Sequence, residues 1–286
     1  MRWLLWGIGA LLLAGCGGFS VDPVDLGIAK DDPRCTEADG ELVCAHATLA
    51  FKGGAFESST REVHFMHPTG DPPEGGFPVA LLFQGSFYSA EGMWQSKEGD
   101  DFGGYHETEL VRALLDKGFA VITPETRLDG GSFWDTNVVG FSSNWESSED
   151  HALMVALFAA ITEGKLGPLD EGRLFAAGIS SGGYMTSRMA VSYSGKLQRL
   201  AIQSASYATC SGALCIIPDL PADHPPTLFL HGEQDLIVPI ETMRDYADKL
   251  EKQGTEVKRI EDPDAGHEWL ATAPAEIPEW FLAGAP

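Results

Sequence analysis

AAGISSGGYM, residues 176–185, sets two serines among glycines at the end of an apolar run, and the reading of this stretch decides the fold. Only Ser180 has glycine at both −2 (Gly178) and +2 (Gly182); Ser181 has Ile179 at −2. The preceding Arg173–Ala177 reads as a strand, and Ser181–Ser192 reads as a helix with Tyr184, Met185 and Met189 facing inward. A strand that turns this sharply into a helix has no room for a Cβ beside the turn residue, which is what the two glycines supply. The helix start also presents unpaired N–H groups and a partial positive charge, able to stabilise an oxyanion. The alternative is a tight turn without chemistry; the combined context favours a nucleophile at Ser180.

A serine hydroxyl attacks poorly until a base takes its proton, and the base needs a carboxylate to fix its tautomer and stabilise its charged form. On a strand–turn–helix elbow these partners follow in the order acid, histidine. Three histidines follow Ser180: His224, His231 and His267. His224 precedes a strand and His231 ends it, and both read as structural, the second as a cap for the HGEQD turn. His267, in DPDAGHEW after the last strand, is the expected base. Asp235, in LFLHGEQDLIVP after the preceding strand, is the expected acid, with Asp262 and Asp264 as competitors that share the histidine's own loop.

Outward from the elbow, His46–Phe51 and Arg61–His67 alternate as half-buried strands do, and Pro78–Phe83 is a continuous apolar run. His106–Lys117 is amphipathic and is followed by Gly118. Further strands are read at Phe119–Thr123, Arg199–Gln203, Thr227–His231 and Glu256–Ile260, and further helices at Asp150–Thr162, Thr242–Gln253 and Pro274–Leu282. An antiparallel start followed by strand–helix alternation implies an α/β fold: a mostly parallel sheet of about eight strands, helices on both faces, and ligands at the carboxyl ends of the strands. The long post-strand loops Gly85–Tyr105, Pro124–Ser148 and Ser204–Pro225 should then carry function. They hold aromatic side chains, among which Phe87 and Trp134 are expected to contact substrate, with Trp269, two residues past His267, as a cleft wall.

The 286 residues are 44% hydrophobic and carry a formal charge of −23, which argues against nucleic acid or anionic lipid as a partner and fits a neutral or cationic one. Residues 1–15 combine Arg2 with an apolar stretch too short to span a bilayer, as an export signal does. Leu13-Ala14-Gly15-Cys16 resembles the bacterial lipobox, which would make Cys16 a lipidated mature N-terminus on a periplasmic or cell-surface membrane face, with the lipid as sole membrane contact. Residues 16–34 then read as a tether and 35–286 as one catalytic domain. Cys35, Cys44, Cys210 and Cys215 remain, an even number suited to two disulfides in an oxidising compartment. Three pairings are open, of which the local one, Cys35 with Cys44 and Cys210 with Cys215, closes two short loops. No metal site is expected: His64 and His67 fall on opposite faces of a strand, and GDDFGG (99–104) lacks calcium-loop spacing.

Together PVALLFQGS, GISSGG, LHGEQDLIVP and AGHEW resemble the α/β-hydrolase superfamily, over roughly residues 60–285, and within it the secreted esterases of the polyhydroxybutyrate depolymerase and feruloyl esterase kind. The resemblance implies an eight-stranded, mostly parallel sheet, no metal and no cofactor, with Ser180, Asp235 and His267 as the triad. It also implies an oxyanion hole formed by the backbone N–H groups of Ser181 and Ser86, with Phe87 able to replace the latter. One departure stands out: the family's usual His-Gly pair is Gln84-Gly85 here. The implied activity is that of an exported serine esterase acting through an acyl-enzyme on small or polymeric esters, such as polyhydroxyalkanoates or aromatic acyl esters. A serine peptidase or amidase on the same scaffold, and a non-catalytic ligand-binding surface lipoprotein, are the alternatives.

Overall fold

Along Phe77–Phe83 the side chains of Val79, Leu81 and Phe83 enter one apolar cluster while Ala80 and Leu82 enter another, the period of two that marks a strand buried on both faces. The computed structural model describes residues 26, 28–52, 60–126, 133–138, 140 and 142–283, and makes this strand the fifth in the chain. The strands are β1 (Cys35–Ala38), β2 (Glu41–Cys44), β3 (Ala47–Lys52), β4 (Thr60–Met66), β5 (Phe77–Phe83), β6 (Gln95–Lys97), β7 (Ala120–Pro124), β8 (Leu169–Ile179), β9 (Leu197–Gln203), β10 (Thr227–Gly232) and β11 (Val257–Asp262). The α-helices are α1 (Gly104–Asp116), α2 (Glu149–Thr162), α3 (Ser181–Ser192), α4 (Ile240–Lys252) and α5 (Ala273–Leu282).

Eight strands form the main sheet in the order β3-β4-β7-β5-β8-β9-β10-β11. β4 runs antiparallel to both its neighbours, and every pair from β7 to β11 is parallel. Register aligns Phe83 with Gly178, Ile179 with Gln203, and Gln203 with Leu230, so the chain leaves β5, β8, β9 and β10 at one edge. Leu153, Leu157, Met185 and Met189 cover one face from α2 and α3. Met243, Tyr246 and Leu250 of α4 extend that layer over Ile202 and Phe229. Leu110, Val111 and Leu114 of α1 with Ile277 and Phe281 of α5 cover the opposite face. This is the mostly parallel, doubly covered sheet the sequence predicts.

A second sheet, β1-β2-β6, is absent from the sequence reading. It is antiparallel, with Cys35 opposite Cys44 and Leu42 opposite Ser96. Disulfides join Cys35 to Cys44 and Cys210 to Cys215, the local pairing. Residues 1–15 and Cys16 lie outside the described residues. Of the stretch read as a tether, the last part is held to the domain: buried Arg34 donates to the carbonyls of Ala29, Asp32, Lys30, His67 and Pro68. Among the described residues no helix is long and apolar enough to cross a membrane.

Candidate active site

Ser180 sits between the end of β8 and the start of α3 with φ 54° and ψ −121°, a backbone conformation that costs a non-glycine residue about 1–3 kcal/mol and persists only where its surroundings enforce it. The enforcement is visible on both sides. Ser180 N–H donates to Gln203 O at 3.0 Å, and Ser180 O accepts from Tyr184 N–H at 3.0 Å as the first turn of α3 forms. Gly182 lets α3 pass directly over the end of β5, since a Cβ there would run into the Phe83 carbonyl oxygen. Ser181 is the first residue of α3, so its amide has no partner within the helix. Its hydroxyl is engaged elsewhere, accepting from Trp134 N–H at 2.9 Å.

His267 and Asp235 meet directly: His267 Nδ1 donates to Asp235 Oδ2 at 2.7 Å, leaving Nε2 as the ring nitrogen turned from the carboxylate. Asp235 is held by its own loop, Oδ1 accepting from Ile237 N–H and Val238 N–H, each at 2.8 Å. Burial by itself would raise this carboxyl, but hydrogen bonds from His231, His267 and Val238 N–H outweigh it and keep Asp235 well below the usual carboxylate range. His231 thus does more than cap a turn: its Nε2 donates to Val238 O at 2.9 Å and stands 3.2 Å from Asp235 Oδ2. Asp264 N–H donates to Asp262 Oδ1, a turn within the histidine's loop, and His267 reaches Asp235 rather than either competitor.

The histidine loop is latched to the start of α1. Trp269 N–H donates to Phe102 O at 2.9 Å, and Trp269 Nε1–H to Glu107 Oε1 at 2.8 Å. Gly103, at φ 70°, permits the approach, because any Cβ would strike the Trp269 carbonyl. The Phe102 ring lies edge-on to His267 with centroids 6.3 Å apart. Glu107 is a functional candidate the sequence reading missed. It is 6% exposed, and burial pushes its carboxyl up to about 7 despite the opposing Trp269 hydrogen bond.

Ser180, His267, Ser86, Phe87, Trp269 and Glu107 all line one pocket of about 320 Å³, completed mainly by apolar groups including Tyr88, Phe102, Ile179 and Ile237. Phe87 is 75% exposed at its mouth, while the Trp269 indole is buried in its wall. Trp134, read from sequence as a substrate contact, is corrected here: it is fully buried, packs edge-on against Phe83, and its Nε1–H donates to Gln84 O at 3.2 Å. Its loop is drawn inward by Asp150, which accepts from Asp135 N–H and from buried Arg61.

Gln84, the departure from the family's pattern, is fully buried and donates to Glu125 Oε1 at 2.6 Å. Glu125 also accepts from Ala90 N–H at 2.7 Å and Thr126 N–H at 3.1 Å, so one buried carboxylate ties both ends of the Ser86 loop to β7. His64 pairs with Thr48 Oγ1 and His67 with Leu166 O, each engaged apart from the other.

Comparison with known proteins gives three findings. The prolyl oligopeptidase family model, of the S9 peptidases, matches residues 203–283. The chain is 45% identical over 284 residues to the poly(3-hydroxyoctanoate) depolymerase of Pseudomonas fluorescens, covering 99% of each. Among solved structures, a putative dienelactone hydrolase of Klebsiella pneumoniae superposes with a TM-score of 0.55 at 16% identity, over 84% of this chain and 98% of that one. A lidless α/β serine hydrolase of Xanthomonas campestris gives 0.53 at 18% identity, over 84% and 93%.

Proposed function

Because the chain belongs to the family of the poly(3-hydroxyoctanoate) depolymerase, an α/β-hydrolase family, we propose that it is an exported serine esterase that cleaves aliphatic polyesters of medium-length 3-hydroxyacyl units through an acyl-enzyme. The observation that carries this reading is the 2.7 Å His267–Asp235 hydrogen bond beside a largely apolar pocket that Ser180 and His267 share.

In the proposed cycle Ser180 Oγ attacks the ester carbonyl while His267 Nε2 takes its proton. Asp235 holds the ring in the tautomer that leaves Nε2 free and stabilises the imidazolium that forms. The developing oxyanion is received by Ser181 N–H at the start of α3 and by Ser86 N–H, on a loop braced through Gln84 and Glu125. Collapse expels the alcohol, which takes the proton from His267 and leaves acyl-Ser180. Water, deprotonated by His267, then repeats the attack and releases the acid.

Export and anchoring through lipidated Cys16 belong to the same proposal, supported by the signal-like residues 1–15 and by two disulfides. The test is turnover of poly(3-hydroxyoctanoate) and of soluble octanoyl and peptide substrates, with fluorophosphonate labelling. Wild type should be labelled at Ser180 and clear the polymer; Ser180→Ala should lose both, by about 10³-fold or more in rate, with unchanged melting. Polymer turnover by Ser180→Ala at the wild-type rate sinks the mechanism, and faster cleavage of peptides than of esters sinks the substrate class.

A further inference from the structure

Besides Ser86, Ser180 and His267, the polar side chains lining the pocket are Tyr88, Asp101 and Glu107, and of the two carboxyls only Glu107 is buried. One of its oxygens, Oε1, is occupied by Trp269 Nε1–H; among the described residues Oε2 accepts no hydrogen bond, although the side chain is all but buried and lines the pocket that Ser180 and His267 share. A buried carboxyl with an unused oxygen is costly unless something meets it, and here the side chain that carries it borders the space a substrate would fill. Phe102, Ile179 and Ile237 of the same lining offer no side-chain donor, and among the described residues the nearby Tyr88 hydroxyl makes no hydrogen bond to Oε2.

We propose that Glu107 Oε2 hydrogen-bonds an oxygen carried on the acyl chain of the substrate, and so makes the enzyme prefer 3-hydroxyacyl esters to plain fatty acyl esters of equal length. This rests on the esterase reading above and adds the residue that recognises the acyl group. Burial keeps the carboxyl protonated through mildly acidic pH, so Oε2 can donate to an ester oxygen within a polymer as well as pair with a free hydroxyl at a chain end. A pocket built to pair a substrate oxygen discriminates against the analogue that lacks it, because the protein group is then left without a partner.

The experiment compares kcat/KM on the p-nitrophenyl esters of 3-hydroxyoctanoate and octanoate for wild type, Glu107→Gln and Glu107→Leu. The ratio of the two values should fall roughly tenfold in Glu107→Leu, the loss of about one buried hydrogen bond, and stay within about threefold of wild type in Glu107→Gln, which keeps an acceptor for Trp269 and a donor for substrate. A purely structural role would lower both substrates together and leave the ratio unchanged, which overturns the proposal. Should Glu107→Leu not fold, wild type decides alone: free 3-hydroxyoctanoate should inhibit about fivefold or more below the concentration octanoate needs, and equal inhibition overturns the assignment. Fluorophosphonate labelling of wild-type Ser180 separates the two levels. A labelled enzyme with an unchanged ratio removes only the role of Glu107, whereas an unlabelled enzyme inert on both esters removes the esterase reading and this proposal with it.

Discussion

Glu107 in the folded chain titrates at about 7 because burial disfavours its charge, against an ordinary value of 4.5. Between those values the folded state holds a proton that the unfolded state has released, so stability falls as pH rises from about 4.5 to about 7 and changes no further on this account above it. The total is on the order of 3 kcal/mol. Glu107→Gln cannot ionise, so its stability should be flatter across this window; urea unfolding of both proteins at pH 4.5, 6 and 7.5 checks this, and parallel curves contradict it. Helical spacing puts Glu107, three and four positions before Leu110 and Val111, on the apolar stripe and Glu109 off it, but a carboxylate in the first turn reads from sequence as a helix start and not as a pocket wall. The helix register decides: Glu107 turns inward with Leu110 and Val111, while Glu109 turns out to pair with His106 and Arg112. Trp134 teaches the same lesson in reverse. Its place on a post-strand loop was legible, but the side chain's direction depends on Asp150 and Gln84, residues far away in the chain. Ser180, Asp235 and His267 could be nominated from sequence because each sits in a short stretch with its own strand and turn signals.

At the level of elements, β5 and α3 cross so closely that the contact is backbone against backbone at Gly182. Gly182→Ala should therefore push the helix off the sheet end, costing about 1–3 kcal/mol or more, since no side chain can yield to relieve the clash. A lower melting temperature together with loss of fluorophosphonate labelling at Ser180 is the expected pair of results; normal melting with full labelling would show that the crossing has slack. The main sheet could be read from sequence because its strands and helices are long enough to show a period, and the helix Ser181–Ser192 was expected with the bounds it has. β1, β2 and β6 could not, being three or four residues each; β1 and β2 close a hairpin across Asp39-Gly40, while β6 joins from a wide gap in sequence, pairing Lys97 with Glu41. So short a run shows no period, and its partner is chosen by tertiary packing. The brace of Gln84 on Glu125 was hidden for the same reason.

At the level of the whole molecule, the formal charge of −23 repels anionic lipid, so attachment to a membrane would have to come from the acyl groups on Cys16. In cells making the full chain, wild type should pellet with membranes and resist a high-salt wash, while Cys16→Ser should appear in the soluble fraction. Release of wild type by salt, or pelleting of the variant, would remove the anchor from the proposal. Ser86, Ser180, Asp235 and His267 stand on loops that follow β5, β8, β10 and β11, and Glu107 on a helix between them. A fragment cut anywhere between Ser86 and His267 holds only part of that set, and its members meet only when their strands take their places in the sheet. On the proposed triad, hydrolytic power cannot outlive the architecture that restrains it: a copy that melts, or whose pieces part within this span, falls silent and does not become an indiscriminate catalyst.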